Sequence, residues 1–216
     1  MGDTTRLTDL TVRDLTERLA SREPIPGGGS ASALAGALGA ALVAMVAELS
    51  IGRPESVEHE VAARELLTAG QQRCTELLEL AEQDAAAYQA VVNARRLPKD
   101  SEADREIRTA ALSFAMVEAA RVPLQTATVA AEVLDLAERI ASIGNRNAVS
   151  DAGVAAQLAV AAFRGALLNV QINLPYLPDD HPLRHSAPGE IARLEGLAAE
   201  RADGAMAAVN ARMVAA

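Results

Sequence analysis

The sequence predicts an all-α, Ala-rich, single-domain bundle of about six or seven helices, and three observations carry that prediction. Half of the 216 residues are hydrophobic, so a sizeable core can be buried. With only two Phe, two Tyr and no Trp, that core must be built from Ala, Leu, Val and Ile. Alanine is the best helix former, and small side chains let helices approach closely. Apolar residues recur at helical spacing between breakers, whereas no run alternates as a strand would. No internal repeat or long linker divides the chain, so residues 1–216 are expected to form one unit.

Thr11-Val12-Arg13-Asp14 has the form of a capping box, with Val12, Leu15 and Leu19 as an apolar stripe behind it. A short first helix is expected to end near Ser21. Pro24, Pro26 and the triplet Gly27-Gly28-Gly29 then break the chain. Ser30 is the expected N-cap of a second helix, which runs to about Ser50 and is stopped by Gly52 and Pro54. Its uncharged stretch, residues 31–47, consists mainly of Ala and Gly, is slightly short for a membrane span and is followed directly by Glu48; it reads as a buried core helix. Within it Ser32, Gly36, Ala40 and Ala44 place a small residue at every fourth position, which suits close helix packing.

A long helix is expected over residues 57–96, ended by Pro98. On it Gly70, Cys74, Leu77, Ala81, Asp84, Tyr88 and Val91 share one face. Ser101-Glu102-Ala103-Asp104 is a second capping box, opening a helix that Pro123 kinks or divides and that reaches Ile143, with Gly144 as its cap. Ser150 or Asp151 is expected to cap a helix from Ala152 to about Leu174. A polar loop over residues 175–188 precedes a last helix from Gly189 to about Met213.

The net charge of −9 argues against a nucleic-acid partner and against docking on an anionic membrane. Cys74 is the single cysteine, so no internal disulfide is possible, and the first six residues carry no basic-then-apolar signal pattern; a cytoplasmic setting is expected. His59, His181 and His185 have no Cys or Glu at zinc-ligand spacing, so no metal site is expected.

Four places could carry chemistry. Gly27, Gly28 and Gly29 leave backbone bare at a helix N-terminus, where free amides and the macrodipole bind anions. The same residues also read as a flexible turn with an ordinary Ser30 cap. Asp84 lies in the middle of an apolar stripe, where desolvation raises a carboxyl pKa toward the range a proton shuttle needs; it also reads as a core Asp satisfied by a hydroxyl or backbone partner. Asn145 and Asp151 sit in a polar turn between two apolar helices, where Asp151 is most simply an N-cap and a cleft-lining role is open to both. Asn169 and Asn173 lie one turn apart, able to read a heterocycle edge or to face solvent.

The segment from Pro24 to Leu42, with Pro26-Gly27-Gly28-Gly29-Ser30 at its head, resembles the signature of the cyclodeaminase/cyclohydrolase family. That family comprises the C-terminal domain of formiminotransferase-cyclodeaminase and stand-alone bacterial proteins. Further similar segments follow in the family's order: Asp84-Ala85-Ala86-Ala87-Tyr88, Leu97-Pro98-Lys99-Asp100, Gly144 to Val154, and Gly165 to Leu174. The resemblance implies an all-α homodimer acting on a folate, with no metal and no cofactor beyond the tetrahydrofolate substrate itself. It implies Asp84 as the catalytic proton shuttle near the reacting carbon. It implies substrate contacts from Pro26, Gly27, Gly28, Gly29, Ser30, Tyr88, Lys99, Asn145, Asp151, Asn169 and Asn173. Two positions depart from the family's habit. Arg53 stands in a stretch that is often Gly- and Lys-rich, and Gln171 stands where a basic residue is frequent. Ammonia release and water addition to the methenyl carbon use the same groups, so both activities stay open, as does a non-catalytic helical module that binds a folate or a protein.

Overall fold

The computed structural model describes residues 6–214 of the chain. Among them six α-helices and four short 3-10 turns occur, with no strand. The helices are α1 (Val12–Leu19), α2 (Gly28–Glu48), α3 (Glu60–Arg96), α4 (Glu102–Ile143), α5 (Val149–Asn173) and α6 (Pro182–Val214). Alanine is the commonest buried residue, filled in by Leu66, Leu77, Leu80, Leu134 and Ile140. Both expected helix starts are capped by a side chain, and the second forms a full capping box. Thr11 accepts the Asp14 amide, and Ser101 and Asp104 cap reciprocally.

The small residues of α2 set the packing. Gly36 lies between Leu77 of α3 and Ala162 of α5, and a β-carbon on Gly39 would come within 2.9 Å of the Ala155 carbonyl. Across the other contact, a β-carbon on Gly70 would meet the Ala40 carbonyl oxygen at 3.0 Å. These pairs run in opposite directions along the partners, so α3 and α5 are both antiparallel to α2. The stripe Ser32, Gly36, Ala40 and Ala44 therefore does what its spacing predicts.

Several boundaries differ from expectation. Pro123 does not divide α4: the helix continues unbroken through it to Ile143. The α5 helix starts at Val149 rather than Ala152, because Asn145 caps the preceding 3-10 turn by accepting the Asn147 amide. Ser150 and Asp151 consequently lie inside the first turn instead of capping it. The polar loop before α6 is shorter than expected, since Pro182 opens that helix and Pro188 sits within it. Residues 54–59 form a 3-10 turn, and α3 proper starts at Glu60.

The α2 and 146–176 stretches are each long and apolar enough to cross a membrane, and about half of each, 56% and 50%, is buried inside the bundle. The core-helix expectation for α2 thus holds for one side only. Its other side leaves Leu38 61% exposed along with Met45 and Leu49. On α5, Val154, Leu168 and Ile172 are exposed as well.

A candidate active site at the head of the second helix

The α2 helix begins with Gly27 at its N-cap, and no side chain caps it there. Ser30, expected to be that cap, is instead the third residue of the helix and fully buried. Its hydroxyl turns away from its own backbone and donates to Asp84 Oδ2 of α3 at 2.8 Å. The carboxylate of Asp84 lies directly on Gly29, where a β-carbon would come within 2.1 Å of Oδ1. The acceptor that a short side chain normally supplies at a helix start comes here from a neighbouring helix. A negative group is favoured at that end of α2 by the helix dipole.

Asp84 is placed by the stripe that predicted it. Gly70, Leu77 and Ala81 below it are buried in the main core and Val91 beyond it joins a smaller buried cluster, while Tyr88 one turn above is 41% exposed, so the carboxylate sits in the gap between the two clusters. Burial raises the Asp84 pKa above the ordinary aspartate range, against the pull of the Ser30 hydroxyl and amide. Its hydrogen-bond partners among the described residues are the hydroxyl and amide of Ser30 alone, and the half-buried carboxyl lines the adjoining cavity.

That cavity, of about 300 Å³, is lined by Pro24, Ile25, Gly27, Gly28, Gly29, Asp84, Ala85, Tyr88, Ala119, Asn169 and Asn173. Its volume falls at the lower end of small-molecule sites. Asn169 lies against Gly28 and donates to the Gly165 carbonyl at 2.9 Å. Asn173 donates to the Ala119 carbonyl at 2.8 Å. That carbonyl needs an outside donor, because Pro123, four residues on, has no N–H to give it. The proline in α4 and the asparagine in α5 thus answer one another and fix the floor of the cavity.

Seven of the sequence-predicted positions meet here: Gly27, Gly28, Gly29, Asp84, Tyr88, Asn169 and Asn173. Ser30 stands behind Asp84, and Pro26 is buried in the loop beneath. Three others are placed elsewhere. Lys99 is exposed in the turn between α3 and α4, where its carbonyl accepts from Arg105. Asp151 begins α5, and Asn145 precedes it, both beside the far end of α2. The 21 residues of α2 separate that end from Asp84 by about 30 Å. Asn145 is buried there and tied to Ser50 Oγ at 2.8 Å, to the Leu49 carbonyl and to the Asn147 amide. Gln171 is exposed on the side of α5 away from Asn169 and Asn173. Among the cavity residues, Pro24, Ile25, Ala85 and Ala119 were not named as site residues from sequence, although the first three lie in the segments that carry the family resemblance. Ala119 has a legible signal in the Pro123 that frees its carbonyl.

Cys74 is partly buried and its thiol pKa is raised by desolvation, as a small core residue's would be. His59 faces Glu58, His181 accepts the Leu183 amide, and His185 pairs with the Asp179 carbonyl. Among the described residues no group of three or more His, Cys, Asp or Glu is gathered closely enough to hold a metal ion.

Fold and site together define a class: an antiparallel α bundle with a half-buried carboxylate docked on the glycine-led start of an apolar helix. Comparison with known proteins gives the family. The formiminotransferase-cyclodeaminase family model matches residues 11–187, and the chain belongs to that family. It is 41% identical over 190 residues to the methenyltetrahydrofolate cyclohydrolase of Methylorubrum extorquens, covering 88% of this chain and 89% of that protein. It is 34% identical over 179 residues to the formimidoyltransferase-cyclodeaminase of Rattus norvegicus, covering 83% of this chain but only 33% of that longer protein. A crystal structure of formiminotetrahydrofolate cyclodeaminase from Thermotoga maritima superposes with a TM-score of 0.84 at 27% identity, covering 95% of this chain and 98% of that one.

Proposed function

We propose that this protein is a folate one-carbon enzyme, a methenyltetrahydrofolate cyclohydrolase, in which Asp84 moves the protons. The observation that supports this most strongly is a half-buried carboxyl lining a ligand-sized cavity, in a chain alignable over nearly its full length with a cyclohydrolase. In this reading the Asp84 carboxylate takes a proton from water as its oxygen bonds to the methenyl carbon. The protonated carboxyl then returns that proton to a ring or side-arm nitrogen as the carbon–nitrogen bond breaks, while the hydroxyl of the adduct releases its own proton to solvent, leaving a formyl group. Base and acid work of this kind is worth about a hundred- to ten-thousand-fold in rate. A pKa raised by burial keeps the two protonation states close enough in energy to alternate.

The second reading is cyclodeamination, favoured by the likeness to the Thermotoga structure. There the side-arm nitrogen attacks the formimino carbon, Asp84 accepts its proton and passes it to the departing amine, and ammonia leaves. Gly27, Gly28 and Gly29 would hold the ligand through backbone amides, with Asn169, Asn173 and Tyr88 around it.

The exposed apolar side of α2 and α5 suits a second copy of this chain, completing a homodimer in a cytoplasmic setting. No metal or cofactor has a step in either scheme.

The test is the methenyl absorbance with purified protein. Loss of absorbance from 5,10-methenyltetrahydrofolate supports cyclohydrolase action. A rise from 5-formiminotetrahydrofolate supports cyclodeamination. Neither change at high protein concentration would leave the non-catalytic alternative.

A further inference from the structure

Resting on the proton-shuttle reading of Asp84, we propose that Ser30 and Gly29 form a positioning device that divides the labour between the two carboxylate oxygens. Ser30 pins Oδ2, Gly29 lets the carboxylate lie on the backbone of α2, and Oδ1 is the oxygen that exchanges protons with the ligand.

The geometry is specific. Ser30 is fully buried, so its hydroxyl has no competing solvent, and its one side-chain partner is Asp84 Oδ2 at 2.8 Å. A carboxylate on a helix can turn about its side-chain torsions, and a single short bond to a fixed donor removes that freedom. Gly29 closes the other side. A β-carbon there would overlap both oxygens, at 2.1 and 2.7 Å, so any larger residue must push the carboxylate off the helix start. With Oδ2 held and Gly29 beneath, the remaining direction for Oδ1 is the cavity that Asn169 and Tyr88 also line. The hydroxyl has a second consequence. A donor to the ionised carboxyl favours the charged form, opposing the effect of burial, so Ser30 helps Asp84 act as a base at neutral pH.

The test is the pH dependence of kcat/KM for the wild type, Ser30→Ala and Ser30→Thr in the methenyl absorbance assay. Ser30→Ala is expected to move the acid limb to higher pH, with about tenfold loss on that limb and less on the alkaline plateau. Ser30→Thr, which keeps the hydroxyl, is expected to restore the wild-type limb. An active Ser30→Ala with an unmoved limb would overturn the device. If Ser30→Ala fails to fold, Ser30→Cys, with its weak thiol donor, takes its place with the same expected shift.

A readout without turnover separates this proposal from the reading beneath it. The carboxyl ¹³C shift of Asp84, assigned by its loss in Asp84→Asn, is followed against pH in the wild type and in Ser30→Ala. A titration that moves upward in Ser30→Ala supports the device even where the wild type turns over neither folate. A titration that stays in place overturns it even where the wild type is active.

Discussion

The two ends of α2 carry polar clusters of opposite character. At the far end Asn145 and Ser50 are buried and hydrogen-bonded to backbone and to each other, with Asn145 also lining a cavity of about 340 Å³. Arg212 closes that end by donating to the Ala141 and Gly144 carbonyls at the end of α4. At the head of α2 Ser30 is equally buried, but its partner Asp84 is a half-buried, ionisable carboxyl lining a cavity. The chemistry available at the two ends differs for that reason. Hydrogen-bonded amides and hydroxyls hold helices in register, whereas an ionisable carboxyl can also take and give a proton.

The largest effect that would sharpen this contrast is at Asp84. Asp84→Asn is expected to lower turnover at least a hundredfold, the scale of general acid–base catalysis. The same change is expected to raise the melting temperature at neutral pH. Because burial raises the native pKa, the folded state holds its proton more tightly than the unfolded chain does. The carboxyl therefore costs stability progressively as pH rises from the ordinary aspartate range through the raised native value. The gain in Asp84→Asn should be present above that window and vanish below it, which thermal melts at several pH values would check. A fall in melting temperature at neutral pH would mean that the carboxylate holds the bundle together, as the far-end cluster does.

Leu38 lies between the two ends on the exposed side of α2, and if the proposed homodimer forms through that side, Leu38→Glu is expected to convert it to a monomer with the bundle still folded. Sedimentation velocity checks this; an unchanged species would move the interface elsewhere. At the far end, Asn145→Ala is expected to cost about 2 kcal/mol, since it leaves buried partners unpaired. That is a fall of about 5 °C in melting temperature for a chain of this size. Turnover per folded molecule should stay within a factor of about two, the behaviour of a structural residue remote from the chemistry. Smallest is Ser101→Ala, remote from both clusters, which removes a capping box and is expected to cost about 1 kcal/mol with no change in rate.

Much of this contrast was legible in the sequence, but unevenly. Asp84 stood out because a charge interrupts an apolar stripe, and the structure places it at the edge of the core for that reason. The glycine triplet stood out as bare backbone at a helix start. Ser30 was misjudged because capping is a local rule, and here a residue 54 positions away supplies the acceptor instead. Asn145 read as a cleft candidate and does line a cavity of about 340 Å³, but sequence does not show that its polar turn packs against the other end of a 21-residue helix from Asp84. The link between Pro123 and Asn173 is legible only afterwards: a missing N–H predicts that some donor arrives, without saying from where.

The most direct test sets the two ends side by side. Asp84→Asn and Asn145→Ala are compared with the wild type in the methenyl absorbance assay, each with a melting curve at neutral pH. The account predicts that Asp84→Asn loses turnover at least a hundredfold and melts higher, while Asn145→Ala keeps turnover and melts lower. Near-normal turnover in a folded Asp84→Asn would contradict it.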